Sequence, residues 1–305
     1  MIATLRSLHR QRHLLADFVV RDLKARYVGS AMGFFWSIVF PIVNLFVFMF
    51  VFRLLLKARW GESGGETDTA LIMLAGILVW TAFAETVGRA TNCLVENANL
   101  IQKVVFPSEI LPVYLTISSL INMLIGLPIV LIGCMVFGVS WPGWWYVYIP
   151  LLLLLQILFT VGLGYLLATL NLFLRDTYHL VGVALQVWMF ATPIFYPAEM
   201  VRNTRIMLPH WLSFLSNGPL GVWEKGENKG EPVVLTAEDG GFFYLDWMLD
   251  YNPMHWLIQA WRDVTIFERA PDSMMLLKLA IVGIVLFWLG SVFFRRHQYQ
   301  FPDLL

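Results

Sequence analysis

Residues 110–174 read ILPVYLTISSLINMLIGLPIVLIGCMVFGVSWPGWWYVYIPLLLLLQILFTVGLGYLLATLNLFL, with no Asp, Glu, Lys or Arg in 65 positions. A helix rises 1.5 Å per residue and the hydrocarbon layer is ~30 Å thick, so one crossing takes about 20 apolar residues. The stretch is too long for one crossing and suits two. Gly138-Val139-Ser140-Trp141-Pro142-Gly143 folds it into a hairpin, because Gly and Pro end helices. Its two ends, Glu109 and Arg175, then fall on the same side of a membrane.

Working outward, residues 27–52 hold no charged side chain, and further apolar stretches cover 71–93, 178–196 and 274–294. The reading is an all-α integral membrane protein with one transmembrane domain, 1–305. Its six spans are 34–56, 71–93, 110–137, 144–174, 178–196 and 274–294. A cytoplasmic interface segment, 1–30, precedes them, and a long external region, 197–272, separates spans five and six. Composition agrees: 58% of residues are hydrophobic and only 14% charged. Soluble domains carry about 25% charged residues. Lys plus Arg and Asp plus Glu number 21 each, leaving no net field to attract nucleic acid. A soluble enzyme, a disordered scaffold and a DNA binder are excluded.

Six spans put both termini on one side. Arg6, Arg10, Arg12, Arg21, Lys24 and Arg26 precede the first span, whereas the opposing charges sit mostly in the long external region. The positive-inside bias acts through short segments beside spans, so both termini are expected in the cytoplasm. Residues 1–26 lack a signal-peptide core, and the first span is expected to serve as its own insertion signal. Cys93 and Cys134 form no C-x-x-C and no disulfide framework.

Several segments are more than spans. Residues 14–27 put Leu15, Phe18, Val19, Leu23 and Tyr27 on one helical face and Asp17, Arg21, Lys24 and Arg26 on the other. Such a helix lies along the cytoplasmic membrane surface, as an anchor or with its polar face docking a soluble partner. In span two, Thr81, Glu85, Arg89, Asn92 and Glu96 form one stripe. Glu85 lies about 22 Å along a helix entering at Ala70, still within hydrocarbon. Two uses are open: a self-neutralising i,i+4 pair with Arg89, or the lining of a watery cavity. Residues 97–107 form a short amphipathic helix stopped by Pro107. The turn 170–176, with Arg175 and Asp176, lies on the same side, and both elements are free to receive a partner. The external region divides into three parts. Residues 197–220 form an interfacial helix holding Met207, Trp211 and Phe214, and 221–241 a loop or small hairpin. Residues 247–267 are aromatic and include Trp256, Trp261 and Arg262, as in re-entrant or surface-lying helices.

No G-x-x-x-x-G-K-[ST] or H-E-x-x-H occurs, and six histidines are scattered without ligand spacing. No catalytic residue, metal site or cofactor is expected in this chain. That combination fits a permease powered by another chain.

Four stretches in register give the chain a family resemblance. They are Arg21-Asp22-Leu23-Lys24-Ala25-Arg26-Tyr27 with Trp36 and Pro41, and Asn97 to Pro107 with Glu109-Ile110-Leu111-Pro112. Arg175-Asp176 then leads into Thr192-Pro193-Ile194-Phe195-Tyr196-Pro197, and Asn252-Pro253 precedes Trp261-Arg262-Asp263. The whole resembles the membrane subunit of ABC-2-type polysaccharide exporters, which move O-antigen, capsular polysaccharide or teichoic acid. The resemblance implies a homodimeric permease in the bacterial inner membrane, exporting a lipid-diphosphate-linked polysaccharide. Two copies of an ABC ATPase would hold the ATP and Mg. It also implies that Asn97, Asn99, Leu100, Ile101, Gln102, Lys103, Val104, Phe106 and Pro107 form the coupling helix, with Arg175 and Asp176 nearby. Arg21, Asp22, Lys24, Arg26 and Tyr27 would belong to the interface helix. Short outer helices with Asn252, Pro253, Trp261 and Arg262 would form an external gate. Trp36, Trp188, Phe195 and Tyr196 are candidates to line a sugar path with Glu85 and Arg89, core packing being their other use. The acidic stretch 207–250 departs from the family pattern. An exporter of another cargo, a drug or a lipid, is the alternative within the superfamily. A membrane-embedded polyprenyl-phosphate transferase would need clustered acidic or His residues, for which only Glu85 and Asp176 stand.

Overall fold

The computed structural model describes residues 2–26, 28, 33–55, 66–103, 106–202, 205–207, 242–244 and 246–305. Tyr27, Val104 and the expected loop 221–241 lie outside them. In chain order the elements begin with α1 (Ile2–Arg10), α2 (Arg12–Ala25), α3 (Trp36–Phe48, continued by π-helical turns Met49–Leu55) and α4 (Glu66–Glu96). Next come α5 (Ala98–Lys103), α6 (Ile110–Val136), α7 (Ile149–Phe173), α8 (Thr177–Ala191) and α9 (Ala198–Arg202). After β1 (Arg205–Met207) and β2 (Phe242–Tyr244) follow α10 (Asp246–Asp250), α11 (Pro253–Thr265), α12 (Ser273–His297) and α13 (Phe301–Leu304). Among the described residues, four stretches are fit by length and composition to cross a membrane: Thr69–Glu96, Ile110–Val136, Trp144–Phe173 and Ser273–Leu304. Trp36–Phe52 and Thr177–Ala191 are shorter apolar helices.

The chain forms two compact units, one of residues 1–194 with 253–305 and one of 195–252. In the first, the closest partnership is α7 with α12, and α4 packs against α6, α7 and α11. The α7–α12 contact is backbone on backbone. A Cβ on Gly290 would lie 2.2 Å from the Gly162 carbonyl oxygen, and one on Gly162 would lie 2.4 Å from the Phe287 nitrogen. Without a hydrophobic drive between helices in lipid, such close approach supplies the packing energy. The hairpin between α6 and α7 turns where the sequence breaks. Gly138 takes φ +69°, the left-handed conformation that glycine adopts without a Cβ clash at a helix end.

The face of α2 predicted to meet lipid meets protein instead. Phe18 and Val19 are buried, and the Phe18 ring stands 5.2 Å from Tyr114 and 5.6 Å from Phe106. Arg12, His13, Asp17, Arg21 and Lys24 are exposed. Arg26, assigned to that polar face, turns inward to the ion cluster described below. α8 stops at Ala191 because a residue before proline is pushed out of the helical region, and Thr192 is extended ahead of Pro193.

The second unit corrects a second expectation. Of the interfacial helix expected over 197–220, the five-residue α9 is helical, while 203–204 and 208–220, with Trp211 and Phe214, lie outside the described residues. Residues 205–207 are instead a strand, with Ile206 opposite Phe243 in an antiparallel pair. Local periodicity could not supply a partner that arrives nearly 40 residues later. α9 packs against α10.

Candidate functional site

At the C-terminal half of α4, three elements meet through charge. Glu85 and Arg89 lie one turn apart on α4, Asp22 and Arg26 one turn apart on α2, and Ser118 and Ser119 adjoin them on α6. Arg89 Nη2 pairs with Asp22 Oδ1, and Arg89 Nη1 donates to Asp22 Oδ2 and to Glu85 Oε1, both at 3.2 Å. Arg26 donates to Asp22 Oδ2 at 3.2 Å, to Ser119 Oγ at 3.2 Å and to Glu85 Oε1 at 2.5 Å. The Ser118 hydroxyl completes the set by donating to Asp22 Oδ2 at 2.5 Å. Two cations and two anions alternate, so the cluster is neutral as a whole. Burial alone would raise the Asp22 carboxyl. Hydrogen bonds from Arg89 and Ser118 and the charges of Arg89 and Arg26 outweigh that and hold it below its ordinary value.

Glu85 and Arg89 do form the i,i+4 pair, at 3.2 Å, and α2 supplies the partners that spacing alone could not show. Glu85 and Arg26 also line one end of a cavity of about 580 Å³ among α3, α4 and α6, with Trp36, Phe40, Asn44, Leu78, Thr81, Asn122 and Met123 around it. The stripe on α4 continues with Asn92, which donates to Glu96 at 2.9 Å and accepts from Asn171 of α7 at 3.4 Å. Asn171 in turn accepts from the Tyr178 backbone at 3.2 Å, so the α7–α8 turn is fastened to α4. Arg175 and Asp176 stand exposed on that turn.

α4 runs on into α5 through Asn97, whose backbone and side-chain nitrogens donate to the Cys93 carbonyl at 3.2 and 2.8 Å. α5 buries Ile101 and half-buries Leu100 against the chain's own core, while Asn99, Gln102 and Lys103 face outward. Phe106 and Pro107 are half-buried. Beside α5, Glu109 pairs with Arg295 at 3.4 Å. A cleft of about 600 Å³ opens there, lined by Gln102, Lys103, Phe106, Arg295, Gln298 and Tyr299.

At the other end of α4, Pro193 has no N–H and ends helix α8, leaving carbonyls without helical partners. Arg262 of α11 collects them. Its Nη1 donates to the Pro193 carbonyl at 2.8 Å and its Nη2 to Ile194 at 2.9 Å, while Nε reaches Ile72 of α4 at 3.1 Å. Arg262 is 1% exposed. It passes directly over Gly76, where a Cβ would lie 2.6 Å from Nη2. Asp263 faces Arg269 at 2.7 Å and Gln259 at 3.0 Å. Ser140 of the α6–α7 turn donates to the Thr265 carbonyl at 3.3 Å, and the Trp141 backbone donates to Glu268.

The remaining predicted residues divide. Trp188 sits in an aromatic cluster, 5.4 Å from Phe83 and 6.2 Å from Trp80. Trp261 is buried, and Pro253 opens α11, where a proline's missing N–H costs nothing. Phe195, Tyr196 and Asn252 belong to the second unit, where the Asn252 backbone donates to Leu249 at 3.5 Å. The sequence reading missed the role of Asp22 and the carbonyl clamp of Arg262. Asp22 and Arg26, four residues apart, were a legible second i,i+4 charge pair, whereas nothing in the sequence linked Arg262 to carbonyls 190, 69 and 68 positions away.

Comparison with known proteins adds the context. Residues 17–217 match the family model described as ABC-2 type transporter. An O-antigen export system permease protein RfbA of Myxococcus xanthus is 30% identical over 303 residues, covering 99% of each chain. Two proteins of the same name from Klebsiella pneumoniae are each 24% identical over 292 residues, covering 96% of this chain and 95% of theirs.

Proposed function

This chain belongs to the ABC-2 type transporter family, and on that premise we propose that it is the permease for an O-antigen-like, lipid-diphosphate-linked polysaccharide. It works in the bacterial inner membrane as a homodimer, with both termini cytoplasmic and six spans per copy. Two copies of a separate ABC ATPase bind ATP and Mg. The chain is a transport subunit and not an enzyme. The cargo reading rests on one observation, the near full-length match to relatives named for O-antigen export.

Two structural features support the coupled mode of action. α5 presents Asn99, Gln102 and Lys103 outward on a seat anchored by Ile101, which suits a surface received by a partner. α4 joins that seat to the outer clamp as one helix, about 36 Å from Ile72 to Glu96 at 1.5 Å per residue. A helix keeps all its backbone hydrogen bonds while it tilts, so a push on α5 is delivered far away. The cavity beside Glu85 and Trp36 combines polar and apolar lining, as a path for an amphipathic cargo requires. Deleting the gene tests the cargo. The reading predicts loss of surface polysaccharide and build-up of its lipid-linked form on the cytoplasmic side, both reversed by the intact chain. Unchanged surface polysaccharide would refute it.

A further inference from the structure

We propose that Arg262 is a positioning residue for transport, a bolt that makes α11 and the end of α8 move with α4. This rests on the coupled-permease reading above and adds the part through which the outer end of the chain would respond.

Burying a guanidinium is expensive unless its donors are satisfied. Arg262 satisfies three of them on backbone carbonyls of two other elements: Ile72 on α4, and Pro193 and Ile194 after α8. A planar fork with fixed donor directions holds its acceptors in one relative geometry, as the single point donor of a lysine does not. Both acceptor sites are prepared by the backbone. Pro193 stops α8 and frees its carbonyl, and Gly76 leaves room on α4 for the guanidinium, since any Cβ there would overlap it. Ile72 and Gly76 lie near one end of α4, and the other end continues into α5. A displacement received at α5 therefore passes the Asn97 turn, bonded to the Cys93 carbonyl, reaches Arg262 along α4 and leaves it in α11 and the α8 terminus.

A merely structural arginine and a bolt differ in what their loss does. The permease and its ATPase, reconstituted together in liposomes, are compared as wild type, Arg262→Lys and Gly76→Ala. ATP hydrolysis, glycan transport and hydrogen exchange are read with and without ATP and Mg. In the wild type, nucleotide changes exchange in both 98–103 and 253–265. In both variants the response at 98–103 persists and that at 253–265 is lost. Transport falls about tenfold while hydrolysis stays within about twofold, the size of a typical coupling between distant sites. Arg262→Lys keeps the charge and Gly76→Ala keeps the arginine, so a folding failure in one leaves the other to decide. Wild-type transport and a wild-type response at 253–265 in either assembled variant would overturn the bolt. Parallel loss of hydrolysis and transport would overturn it too, because that is what simple destabilisation produces. A wild-type complex with no response at 98–103 overturns the coupled reading itself, and the bolt with it.

Discussion

Asp22 touches more of the molecule than its place on a short helix suggests, since it accepts from Arg26, Arg89 and Ser118 at once. Asp22→Ala leaves two arginines facing the single carboxylate of Glu85. Breaking a part-buried, charge-assisted hydrogen-bonded pair from one side costs about 1.5–3 kcal/mol. The expected result is a lower Tm in detergent, with Asp22→Ala plus Arg89→Gln costing less than the sum of the two single changes. Additive losses would show that the pair is not coupled. The pH dependence has a definite sign. Because the folded Asp22 is held below its ordinary value, its contribution is fully present above the unfolded carboxylate value of about 3.9 and is lost as pH falls through the folded one. Asp22→Asn should thus shrink the gap between Tm at pH 6 and at pH 3, and an unchanged gap would contradict the cluster's geometry. Half of this cluster was legible beforehand: Glu85 and Arg89 are four residues apart, and helical spacing shows them. Asp22 and Arg89 are 67 positions apart, and the Arg262 acceptors are 190, 69 and 68 away. No periodicity reaches that far.

The elements themselves follow from simple rules, and their faces do not. The charge-free run 110–174 becomes two helices about a glycine turn, as Gly138 and Pro142 dictate. α2 is amphipathic as its spacing demands, yet Phe18 meets Tyr114 rather than lipid, because periodicity defines an apolar face without naming what covers it. Gly290→Ala drives a methyl into the Gly162 carbonyl, and overpacking of this kind costs about 1–3 kcal/mol. Its measure is the Tm of the purified chain, and an unchanged Tm would mean that α7 and α12 separate freely. On α5, Lys103 is exposed and Ile101 is buried in the chain's own core. Lys103→Glu should therefore reduce retention of the ATPase on purification by about tenfold without affecting insertion, as an opposed charge at an interface rim does. Ile101→Asp should instead prevent the chain from accumulating. If Lys103→Glu chains keep their ATPase at the wild-type ratio, the outward face of α5 is not the contact.

For the molecule as a whole, exposed apolar side chains crowd three helices. Phe40, Val43, Phe46 and Val47 stand on α3, Val183, Val187 and Phe190 on α8, and Ile281, Ile284 and Trp288 on α12. An apolar surface on this scale is stable only against lipid or another protein surface. The cavity with Trp36 and Glu85 lies among α3, α4 and α6, and α4 runs from the arginine clamp to the turn into α5. In the function proposed above, such a body moves a lipid-linked polysaccharide when a separate ATPase acts on it. Transport in reconstituted liposomes tests it most directly. The permease is inserted with its ATPase, lipid-linked glycan is supplied on the ATPase side, and glycan newly accessible to a glycosidase on the far side is measured. Accumulation that requires the permease, the ATPase and ATP with Mg together, and that stops with a hydrolysis-deficient ATPase, is the predicted result. Equal accumulation without ATP, or none with every component present and hydrolysis under way, would contradict it.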